Sequence, residues 1–152
     1  MLPGLTTALS VRRALVLLLG VLLSACLTAC GGVGQPPQKV LLSALTLQID
    51  LTQRSIADAL SLAADAGRPV VSRVRVESQE ALPIAGGRGL HLTGRFDWRL
   101  AGDPIRVDSA FDLYLQRGER GQTWRLARPV GSADGALQDW IIDPLPLKGE
   151  SA

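Results

Sequence analysis

Between residues 90 and 116 the chain alternates apolar and polar side chains almost without a break. Leu90, Leu92, Gly94, Phe96, Trp98 and Leu100 alternate with His91, Thr93, Arg95, Asp97 and Arg99. Beyond Gly102-Asp103-Pro104, Ile105, Val107, Ser109, Phe111, Leu113 and Leu115 alternate with Arg106, Asp108, Ala110, Asp112, Tyr114 and Gln116. A side-chain period of two predicts strands with one buried and one wet face. Two such runs joined by a Gly-Asp-Pro turn predict a hairpin. Shorter alternations flank them: Ser72, Val74 and Val76 against Arg73, Arg75 and Glu77, and Trp124 and Leu126 against Thr123, Arg125 and Ala127. The links Gly86-Gly87-Arg88-Gly89 and Arg117-Gly118-Glu119-Arg120-Gly121 are turn-like. Short links between successive strands predict an antiparallel meander of four strands.

Upstream the period changes. Leu42, Leu45, Ile49, Thr52, Ile56, Ala59 and Ala63 follow three-four spacing, and Val40, Ala44, Leu47 and Leu51 widen that stripe in its first half. Pro36-Pro37 suits a helix start, Asp50 and Arg54 form a favourable i,i+4 pair, and Gly67 followed by Pro69 reads as a stop. The spacing predicts a helix over 38–65 whose wide stripe must bury against something substantial. The fold class is therefore α+β, with one N-terminal helix packed on a four-stranded antiparallel meander across 38–129. Pro129 is read as the end of the fourth strand, and 130–152 as an irregular tail docking in part through Trp140 and Ile141. The order of elements over 38–128 resembles the cystatin-like and NTF2-like arrangement, in which a curved sheet wraps a helix. That resemblance implies an interior lined by Phe96, Trp98, Phe111 and Trp124, either packed or holding an apolar ligand.

The start of the chain is not domain-like. Arg12-Arg13 precede an unbroken apolar run from Ala14 to Leu23, the plan of an export signal rather than a membrane span. Both cysteines follow it, as Leu23-Ser24-Ala25-Cys26 and Leu27-Thr28-Ala29-Cys30. A disulfide there would close a tiny loop, and a metal site would need more ligands than His91, the one histidine, can add. Each tetrapeptide instead resembles the bacterial lipobox, which implies a lipoprotein cut before the cysteine and acylated on it. Two or more acyl chains hold a protein stably at a membrane. Cys30 is the favoured site, because Gly31-Gly32-Val33-Gly34-Gln35-Pro36-Pro37 follows as a tether; Cys26 is the alternative. The signal then covers 1–29 (1–25 if Cys26 is used) and the tether 30–37. Neither Leu27 nor Gly31, the two candidates for the following position, is the Asp that favours inner-membrane retention in some bacteria. Gly94-Arg95-Phe96-Asp97-Trp98 and Gly121-Gln122-Thr123-Trp124-Arg125-Leu126 are also similar to stretches of short bacterial lipoproteins.

Removing the signal changes the electrostatics. The chain has 16 Lys+Arg and 14 Asp+Glu, and the signal holds Arg12 and Arg13 but no acid, so 14 bases face 14 acids in the remainder. A neutral domain has no global field to draw in nucleic acid. On the face predicted to be buried the polar residues are Ser72, Ser78 and Ser109, with no Asp or Tyr to serve as the base or donor of an isomerase pocket. His91 lies on the wet face, no paired carboxylates stand out, and the Gly86–Gly89 turn opens no helix that could hold phosphate. That wet face gathers Arg73, Arg75, Arg95, Arg99, Arg106, Arg125 and Tyr114 among Glu77, Asp97, Asp108 and Asp112, either as a ladder of charge pairs or as a docking surface. The expectation is a non-catalytic accessory lipoprotein on the extracytoplasmic side of a membrane, without cofactor or metal. Its partners would be the membrane and a protein of a membrane complex; the alternative is a module binding a small apolar ligand.

Overall fold

The computed structural model describes residues 34–63, 67–131 and 138–147. The segment expected as an export signal, with Cys26 and Cys30, lies outside those residues. Pro37 starts the first helix, α1 (Gln38–Ala59), its carbonyl accepting the amides of Val40 and Leu41 at 2.9 and 3.3 Å. The helix ends six residues short of its predicted end at residue 65. Ser61 adopts the left-handed conformation (φ 53°), its amide donates to the Asp58 carbonyl, and the Leu62 amide donates to Ala57 at 2.8 Å. This pair of bonds is a Schellman cap with serine where glycine is usual, so the composition gave no warning of it.

Five strands follow: β1 (Val70–Ile84), β2 (Gly87–Arg99), β3 (Arg106–Arg117), β4 (Trp124–Val130) and β5 (Asp139–Pro144). They form one antiparallel sheet in sequence order. The expected count of four was one short, because part of the tail is β5, paired with β4 from Val130↔Asp139 to Arg125↔Pro144. Pro129 does not end β4. The β3 pairing stops at Tyr114↔Ala127, so at Pro129 one side of β4 has no ladder to break, and β5 pairs on the other.

The core joins Val40, Leu41, Ala44 and Leu45 of α1 to Leu90, Leu92, Phe96, Phe111, Leu113, Leu115, Trp124 and Leu126 of the sheet. Phe96 and Phe111 meet edge to face at 5.9 Å. Burial does not run the length of the helical stripe: Ile49 is half-buried and Ile56 is 47% exposed. The amphipathic pattern continues past the point where the sheet covers it, and the uncovered half leaves a groove. Among the described residues no helix is long and apolar enough to cross a membrane.

Candidate functional site

Paired residues on neighbouring strands share a face, so the register assigns the wet face directly. One row across it reads Glu80, His91, Tyr114, Ala127 and Ile142. Further along, Arg75 lies beside Arg95, and Ser72 beside Asp97.

Asp97 organises the charged half of this face. It was expected to be solvated, yet it is 3% exposed and the one buried charged residue among those described. Two bulges enclose it. Between Ser72 and Arg75, β1 spends one more residue than β2 does between Asp97 and Arg95; between Ser109 and Arg106, β3 spends one more than β2. Arg73 and Asp108, inside these bulges, take positive φ of 47° and 53°. Such a conformation costs a non-glycine residue about 1–2 kcal/mol, and here Asp97 holds both in place. Its Oδ1 accepts the Asp108 amide at 2.8 Å and its Oδ2 accepts the Arg73 guanidinium. The Asp108 amide lowers the Asp97 pKa most; burial opposes it, and Arg73 adds to the lowering.

The other arginines divide. Arg75 pairs with the Asp108 carboxylate at 2.5 Å, and Arg95 donates to the Asp108 carbonyl at 3.2 Å with Glu77 at 3.8 Å. Arg73, Arg75 and Arg95 are thus matched by Glu77, Asp97 and Asp108, and this half of the face is electrically closed. Arg99 is exposed opposite Val70. Arg106 leaves the predicted face: the β3 bulge shifts the parity, and its guanidinium lies 5.1 Å from the centre of the Trp98 ring. By the same shift Ile105 and Val107, expected inward, are 52% and 59% exposed. Ser72 and Ser78 also lie outside the buried face, as the partners of Asp97 and Thr93.

The second half of the face is aromatic. Tyr114 stacks on His91 at 4.4 Å with nearly parallel rings and meets Trp140 of β5 edge-on at 5.1 Å. His91 Nε2 lies 2.9 Å from Asp112 Oδ1. Burial, with Asp112 and Glu80 adding, pushes the Tyr114 phenol above its ordinary pKa, so it stays a neutral hydroxyl near pH 7. Arg125 is exposed one row along, paired with Gln116 and Pro144. Assigning Trp140 to an irregular tail concealed this cluster. The signal that could have revealed it is Trp140-Ile141-Ile142, a run of strand-favouring residues.

Under the uncovered half of α1 lies an open groove of about 320 Å³. Leu45, Gln48, Ile49, Thr52 and Gln53 form its helical wall, and Phe96, Trp98, Ala110, Phe111 and Asp112 its sheet side. Of the aromatics expected inside, Phe96, Phe111 and Trp124 are buried, while Trp98 is half-buried at this groove and donates Nε1–H to Ser109 at 3.2 Å. Comparison with protein-family models, with curated proteins and with solved structures finds no match for this chain.

Proposed function

We propose that this chain is a non-catalytic lipoprotein, acylated at Cys30 or alternatively Cys26, that presents its α+β domain on the extracytoplasmic side of a membrane to dock a protein partner. The two adjacent lipobox-like tetrapeptides, 23–26 and 27–30, after the apolar run carry the membrane half of this reading. The Tyr114–Trp140 pair with exposed Arg125 supports the docking half, because aromatic and arginine side chains dominate binding energy at interfaces. A tethered partner meets its target at raised effective concentration, so a small patch can suffice. Mild cross-linking in intact membranes should recover the lipoprotein with a partner, and Arg125→Glu should reduce that recovery with the circular-dichroism spectrum unchanged. Recovery of the lipoprotein alone would count against docking.

The groove favours a second reading, a module binding a small apolar ligand. Its volume lies near the lower end of ligand sites, about 300–1,000 Å³.

A further inference from the structure

We infer that the stretch of β3 left unpaired by β4 takes an extended segment of a partner protein as an added strand. That segment turns apolar side chains into the groove under α1 and a cation towards Asp112. The inference rests on the docking reading above and names the local shape and chemistry of what docks.

The opening is a fork in the sheet. β4 pairs with β3 only from Tyr114↔Ala127 to Arg117↔Trp124, and from Arg128 to Val130 it pairs with β5 alone. Among the described residues, β3 from Arg106 to Leu113 therefore has β2 on one side and no strand on the other. In an antiparallel strand the N–H and C=O of one residue point to the same side, and those of the next residue to the other. The Asp112 carbonyl accepts Gln48 Nε2 of α1 at 3.2 Å, so Asp112 faces the fork, and by alternation Ala110 does too. Asp108 does not, because the bulge turns its amide to Asp97 and its carbonyl to Arg95. An unpaired main-chain edge is a template for a further strand, and the edge at Ala110 and Asp112 is exposed.

The groove runs beside this edge. Ala110 and Asp112 border it although the register sets their side chains on the wet face, beside Arg95 and Thr93. A strand added antiparallel, the more stable pairing, would lie about 4.8 Å from β3. Its inward side chains would meet Leu45, Ile49, Phe96, Trp98 and Phe111. Its outward residues would stand opposite Ala110 and Asp112. The Asp112 carboxylate is 64% exposed and is met by His91 alone among the described residues, whereas Asp108 is already matched by Arg75 and Arg95. Opposite charges across strands attract, so the guest residue facing Asp112 is a Lys or Arg.

The free edges of this chain do not suit the fork. β1 is bulged twice, which blunts a strand for edge pairing. β5 sets Asp139, Ile141 and Asp143 on one face, acids where a cation is wanted. A partner segment alternating apolar and basic residues meets neither obstacle.

The test adds synthetic heptapeptides, alternating lysine and valine or glutamate and valine, to the full chain in phosphatidylcholine nanodiscs. Backbone hydrogen exchange is followed by mass spectrometry. The lysine peptide should slow exchange in the segment holding Ala110 and Asp112, and bind about two- to threefold more tightly than the glutamate peptide. Asp112→Asn should erase that preference. Residues opposite each other in the added pair exchange both main-chain bonds, so methylating the lysine backbone nitrogens should weaken binding at least about fivefold, the worth of one hydrogen bond. Methylating the valine nitrogens should not. Equal binding of the lysine-methylated peptide would overturn strand addition, and equal binding of the glutamate peptide would overturn the charge assignment. A dimeric chain protecting the same segment without peptide would replace the partner by a second copy and overturn the inference. No protection by any peptide, with partner cross-linking still sensitive to Arg125→Glu, would overturn the inference alone. Loss of that sensitivity as well would overturn the docking reading beneath it.

Discussion

Asp97 shows how one side chain can set the geometry of three strands. It bonds the amide of one left-handed residue and the guanidinium of another, so the two bulges depend on its carboxylate. Asp97→Asn keeps an acceptor for the Asp108 amide but loses the ionic half of both contacts; Asp97→Ala loses both. Urea midpoints at neutral pH should fall in the order wild type, Asn, Ala. The folded pKa is depressed, so the contribution of the carboxylate is present above the unfolded pKa and is lost as pH falls through the folded one. The gap between wild type and Asp97→Asn should close on acidification below the ordinary aspartate range. A gap that stayed constant with pH would contradict this account. Gly94 is a second fixed point. A Cβ there would lie 2.0 Å from the Arg75 carbonyl and 2.9 Å from the Phe111 ring, where β1 backbone and the buried ring close in together. Gly94→Ala should destabilise by about 1–3 kcal/mol, the usual cost of overpacking, measured by thermal or urea unfolding.

At the scale of elements, the strand interiors were legible and the irregularities were not. Period-two patterning located β2 and β3 because their inner faces meet α1 and their outer faces meet water. It carried the parity straight through residues 73 and 108, where bulges change it, and so misassigned Ser72, Arg106, Ile105 and Val107. A bulge leaves little mark in composition when its special residue is Arg or Asp rather than Gly. The helix end repeats the lesson with Ser61. Ser61→Gly should relieve the left-handed strain at the cap and raise stability by about 0.5–1 kcal/mol, less than the full strain because glycine also loosens the unfolded chain. A melting temperature unchanged or lowered in Ser61→Gly would refute the cap assignment.

At the scale of the whole molecule, the proposal joins an anchor written in the first thirty residues to a domain of near-balanced charge. Replacing both Cys26 and Cys30 by Ser should move the chain from a high-salt-resistant membrane fraction to the extracted fraction, and the mature mass should lose its acyl increment. The single replacements identify the acylated site by whichever one reproduces the loss. Salt alone should not release the wild-type protein, because hydrocarbon burial, unlike charge attraction, is not screened by added ions.

The sequence by itself determined the alternation of β2 and β3, the helix before them and the antiparallel order, because these depend on periodicity and short links between neighbours in the chain. It also supplied the two lipobox stretches on which the anchor reading rests. The tertiary structure decided the fifth strand, the burial of Asp97, the neutralisation of Arg73, Arg75 and Arg95, the aromatic cluster at Tyr114 and the groove beside Gln48. Each of these depends on register or on how far the sheet covers the helix. Both are set by packing between residues distant in the chain, which no local pattern encodes.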